Sequence, residues 1–167
     1  MRYLLKNKYL NALAFSSSAV SYLVSFFTEN NIFLVFGIPF FLNLIIFFHE
    51  AGHALFGFIN GNRITKIKIP FITIYDKHVQ INLELNFNSY CSFIKSENDT
   101  IVYAGGPICS LLLVLALLLI LLLSKNNVIL ISVIIAALHW AKNLIPLKDS
   151  DANMIIREFK KRRNPEE

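Results

Sequence analysis

The chain has 167 residues, 55% of them hydrophobic and 16% charged, whereas an ordinary soluble domain carries roughly 25% charged residues. This argues against a soluble globular domain, and four spans of about 20 residues would leave no room for an appended soluble catalytic domain. The net charge of +5 does not point to nucleic acid, because the basic residues flank apolar runs and no aromatic-interleaved basic surface is present.

The elements are read in chain order as an α-helical polytopic membrane protein, a single domain over 1–167. Arg2, Lys6 and Lys8 precede a moderately apolar first span at 9–27, interrupted by Ser16, Ser17, Ser18, Ser21 and Ser25. It is longer than a signal-peptide core and lacks a convincing cleavage signal, so it is expected to be retained. A second span at 32–59 is almost wholly apolar except for His49, Glu50 and His53. The loop that follows, about 61–90, is β-rich. Ile64 to Ile74 and Val79 to Phe87 alternate apolar and polar residues, which predicts two strands of a small hairpin or sheet at the membrane surface. Residues 88–100 read as a polar connector. Spans at 101–123 and 128–145 are separated by so short a loop that they must be antiparallel neighbours, and 154–167 reads as a basic tail, its end solvated. Cys91 and Cys109 lack CxxC spacing and are expected to be free thiols.

Positive residues near span ends are retained in the cytoplasm. With the amino terminus inside, the basic residues of the start, the central loop and the tail all fall on that side, leaving Lys125 outside. The expectation is a multi-pass protein of the cell membrane with both termini cytoplasmic. Richness in Asn, Lys, Ile and Phe hints at a bacterium with an AT-rich genome.

The sharpest local signal is His49-Glu50-Ala51-Gly52-His53, an H-E-x-x-H on a helix. Residues four apart share a helical face, so His49 and His53 can present imidazoles to one zinc ion, while Glu50 can reach a water beside it. Polar groups at bilayer depth each cost a few kcal/mol unless paired or coordinated. The competing reading, three groups hydrogen-bonded to neighbouring helices without metal, is the weaker one for that reason. A catalytic zinc needs a third protein ligand, and the end of the fourth span offers two, Asp149 and Asp151. Spans two and four run in the same direction, so both aspartates reach the membrane side of the histidines. Pro146 breaks the helix, which is tolerated at membrane depth only where backbone lines a cavity or is buried in protein.

These residues resemble the site-2 protease family of intramembrane zinc metalloproteases. The family joins H-E-x-x-H to an N-x-x-P-x-x-x-x-D-G segment, and Asn143, Pro146 and Asp151 keep that spacing. Ala104-Gly105-Gly106-Pro107 matches a G-P element of an intervening helix, and 61–69 resembles the strand after the first metal helix. Ala152 departs from the usual glycine, Ser110 stands where an asparagine often follows the G-P element, and no PDZ-like domain is present. The resemblance implies zinc held by His49, His53 and Asp151, with Asp149 the competitor for the third place. It also implies Glu50 as the catalytic acid and base, and Asn143 as a catalytic amide beside the scissile carbonyl. The implied substrate is a transmembrane or membrane-associated peptide. A helical substrate must unwind to expose its carbonyls, and an added strand against the edge of the 64–87 sheet is expected to hold it extended.

Other polar residues read as structural: His139, one turn before Asn143, more as a hydrogen bond between helices than as a partner of a metal-binding residue, His78 as solvated, Cys109 as packing. Two further functions compete with the hydrolase. A non-catalytic accessory or immunity protein would not need Glu50, and a metal transporter would line both halves of the membrane with polar groups.

Overall fold

The computed structural model describes residues 2–69, 72–75, 79–81, 90–94, 99–148 and 150–163. Helix α1 (Arg2–Thr28) and helix α2 (Asn31–Ile59) are followed by four strands, β1 (Arg63–Ile69), β2 (Ile72–Tyr75), β3 (Val79–Ile81) and β4 (Tyr90–Ile94). Helices α3 (Thr100–Ser124), α4 (Asn127–Leu144) and α5 (Asp151–Arg163) complete the chain. Three of the helices, α2, α3 and α4, are long and apolar enough to cross a bilayer. In α1, an apolar stretch covers Ala12–Thr28.

The serines of α1 serve the joint with α2. Pro39 lies inside α2, where a missing N–H and a crowding ring disturb the ladder. Buried Ser18 bridges that turn, donating to the Phe36 carbonyl at 2.7 Å and accepting from the Phe40 N–H at 3.1 Å. A neighbouring hydroxyl thus supplies bonds that the proline disrupts, as helices without water around them require. Tyr22 stacks on Phe41 with ring centroids 5.2 Å apart and bonds Ser132 of α4 at 2.8 Å. Phe41, Ile45, Val114 and Ala136 form the apolar core between α2, α3 and α4.

Helices α2 and α3 touch backbone to backbone. A Cβ placed on Gly52 would collide with the Gly105 carbonyl oxygen and come within 2.8 Å of Cys109 Cβ, and one on Gly105 would lie 2.5 Å from the Gly52 oxygen. Small residues permit this close approach, a recurring device where helices pack without water.

The sheet is antiparallel in the order β3-β2-β1-β4. It departs from the expected pattern in two ways. The alternating run 64–74 is not one strand but two, paired Ile69 to Ile72 as a hairpin. Pro70 stands at the break, and proline cannot donate to a ladder. The expected connector at 88–100 contains β4, whose Tyr90, Cys91, Phe93 and Ile94 suit a pleated, half-buried surface. The second predicted strand is observed over Val79–Ile81. Its remainder, 82–87, and the predicted turn residues 76–78, including His78, lie outside the described residues.

The basic tail is helical where it is described: residues 154–163 belong to α5. Ser150 caps that helix, its Oγ accepting from the Asn153 N–H at 3.3 Å. Asp151 in the first turn and Lys160, Lys161, Arg162 and Arg163 in the last complement the helix dipole at both ends.

Candidate metal centre

One helical turn separates His49 from His53, so both imidazoles leave the same face of α2, turned toward α3. Each ring is fixed through its Nδ1. That of His53 donates to the Val102 carbonyl at 2.8 Å, and that of His49 meets the Ser110 hydroxyl at 2.9 Å. With Nδ1 engaged, the Nε2 atoms point to a common spot, 3.3 Å apart. Such outer bonds fix tautomer and ring direction in metal-binding histidines. The site also needs Gly106: a Cβ there would run into His53 Nε2 and lie 2.8 Å from His49 Cε1.

Asp151 arrives from the other side. Helix α4 stops at Leu144, and Ile145 takes an extended conformation, the preference of a residue before proline. Tight bonds from Leu147 N to Ile145 O (2.7 Å) and Ser150 N to Leu147 O (3.1 Å) turn the chain, and α5 then starts at Asp151. Its Oδ2 lies 2.9 Å from His49 Nε2 and its Oδ1 3.3 Å from His53 Nε2. Asp149, the competing carboxylate, lies outside the described residues.

His49, His53 and Asp151 are thus one group whose donor atoms all lie within 4.8 Å of one another. A tetrahedral ion bound at about 2.0–2.2 Å would set its ligand atoms roughly 3.3–3.5 Å apart. The Nε2–Nε2 and Nε2–Oδ1 spacings of 3.3 Å meet that demand, while the 2.9 Å pair is a few tenths tighter. The proximity of Oδ2 to His49 is not an aligned hydrogen bond, for this buried oxygen has no hydrogen-bond partner among the described residues. A neutral His53 that donates from Nδ1 turns a lone pair toward the carboxylate. Electron-rich atoms facing one another at such distances repel unless a cation or proton lies between them. The donor set therefore fits a divalent cation.

A cavity of about 660 Å³ opens onto the group. Glu50, buried at 6% exposure, lines it. So does half-buried Asn143, whose Nδ2 donates to the His139 carbonyl at 3.2 Å, leaving its second amide hydrogen for another acceptor. All five expected site residues therefore border one space.

Two features of this space were not expected. His139, read from sequence as a bond between helices, stands edge-on to His49 with centroids 5.4 Å apart, and its buried Nδ1 has no hydrogen-bond partner among the described residues. Its position one turn before Asn143 was the available signal. The wall opposite the helices is β4, through Tyr90, Cys91 and Phe93. Burial pushes the Cys91 thiol up to about 12, helped by the charge of Glu50, so it is a poor nucleophile or ligand. Comparison with protein-family models, with curated proteins and with solved structures finds no match to this chain.

Proposed function

We propose that the chain is an intramembrane zinc metalloprotease of the site-2 protease type, hydrolysing peptide bonds in or near transmembrane segments. One observation carries the reading: two imidazoles and a carboxylate meet at 2.9–3.3 Å beside buried Glu50, in a protein whose helices are apolar enough to cross a membrane.

In this reading His49, His53 and Asp151 hold the ion. When bound, zinc supplies Lewis-acid polarisation and lowers the pKa of a water toward about 7. Glu50 takes a proton from the attacking water at a carboxylate oxygen and returns it to the nitrogen of the leaving amine. Asn143 offers its second amide hydrogen to the substrate carbonyl oxygen, where negative charge develops. A helical substrate hides its carbonyls in hydrogen bonds, so it must unwind. Strand β4 lies at an edge of the described sheet and on the cavity wall, which suits it to hold the unwound peptide by strand addition. The distribution of Lys and Arg supports four spans with both termini in the cytoplasm.

The test is cleavage of a panel of labelled membrane peptides by the zinc-loaded, reconstituted protein. Glu50→Gln is expected to slow turnover by about 10²–10⁴-fold with zinc content unchanged. Equal turnover by both proteins, or zinc bound with no turnover on any peptide, would overturn the protease reading and favour the accessory one. A proline at Ser92 in β4 is expected to impair cleavage while zinc stays bound; unimpaired cleavage removes the strand-addition role.

A further inference from the structure

Helix α5 carries more than the third ligand of the metal group. Met154 and Ile155 are half-buried on its protein side, while Ile156 and Phe159 are 40% and 57% exposed. Ile156, Phe159, Lys160 and Arg163 follow one another at spacings of three, one and three residues, which gathers them onto one helical face. All four cations of the last turn are exposed.

The place of this turn in the fold matters. Arg162 Nη2 reaches Thr100 Oγ1 at 3.3 Å, and Thr100 is the first residue of α3, the most apolar of the three candidate spans. The basic turn therefore stands at the level where an apolar span ends, which is where a bilayer has its headgroups. A helix with exposed apolar residues and a basic end at that level has the composition of an interfacial helix. Water would solvate the lysines and arginines but not the aromatic ring, and a neutral lipid surface would accept the ring but gain nothing from the charge. A surface of lipids with net negative charge satisfies both.

We propose that α5 lies on the membrane surface, with Ile156 and Phe159 set among the headgroups and with Lys160, Lys161, Arg162 and Arg163 collecting anionic phospholipids. Each basic residue near such a surface strengthens binding by roughly fivefold, and the attraction falls off within a Debye length and with salt. The proposal rests on α3 crossing the membrane and not on the peptidase reading.

The test uses the full chain carrying Phe159→Trp in nanodiscs of equal parts phosphatidylglycerol and phosphatidylcholine, with acyl-chain bromine placed on one lipid or on the other. The signal is quenching in excess of that of the parent protein, which contains Trp140. Bromine on phosphatidylglycerol is expected to quench at least about twofold more than bromine on phosphatidylcholine. That preference should shrink as salt rises, and it should vanish when Lys160, Lys161, Arg162 and Arg163 are all changed to Gln. Equal quenching by the two lipids means that the cations serve topology alone and overturns the proposal, as does no quenching by either. The salt series keeps the test decisive if the Gln variant misfolds. A chain that fails to enter the discs overturns the membrane reading together with this one, whereas equal quenching in a disc-embedded chain overturns this one alone.

Discussion

The metal group is built by two regions that hold their ligands in different ways. At the α2–α3 crossing, glycines let the backbones touch, and each imidazole is locked by a bond from its far nitrogen to α3. At the α4–α5 junction the single ligand hangs on a short non-helical turn, and one of its oxygens is buried without a hydrogen-bond partner among the described residues. Most of the outer-sphere bonding around the group thus belongs to one region. The difference teaches that the histidine pair is set by packing and by its bonds to α3, whereas the carboxylate has little of either to hold it. An electron-rich pocket of this kind is stable only when filled by a cation or a proton.

Substitutions can break or sharpen that contrast. The largest effect is expected from Gly106→Val, because the new side chain occupies the space of both imidazoles. Overpacking of this sort costs about 1–3 kcal/mol or more, and metal analysis of the purified variant should find no stoichiometric ion while circular dichroism still reports helix. Normal metal content would show that the crossing is not rigid. Next comes Asp151→Ala, which leaves the histidine pair intact. Competition with a chelator should show binding weakened by more than about 100-fold, beyond what loss of an outer-sphere partner causes, yet still measurable. Loss as complete as in Gly106→Val would mean that the two regions contribute alike. The smallest effect belongs to Ser110→Ala, which removes the partner of His49 Nδ1; a weakening of about tenfold is expected, and an unchanged affinity would show that Val102 and packing alone fix the pair.

Much of this was legible in the sequence because it is local. The helix carrying His49 and His53 was expected at 32–59 and is observed at Asn31–Ile59, since apolar runs and a four-residue repeat need no knowledge of distant contacts. The carboxylate of the group was legible only as one of two aspartates until the spacing from Asn143 and Pro146 was considered. Strand β4 was missed because five residues in a polar stretch carry little pattern, and its stability comes from pairing with β1. Helix α5 was missed because its charge outweighed the short Met154-Ile155-Ile156 signal and because Ser150 was not recognised as its cap. His139 was placed correctly on α4, but its packing against His49 was not legible, for that neighbour comes from another helix.

The position of Asp151 behind all four long helices has a consequence for the life of the protein in the cell. A ribosome delivers both histidines and Glu50 well before the aspartate, so a nascent chain has the pair but not the completed triad. The three side chains therefore come together only once α3 and α4 have been made and synthesis has passed the junction after Pro146.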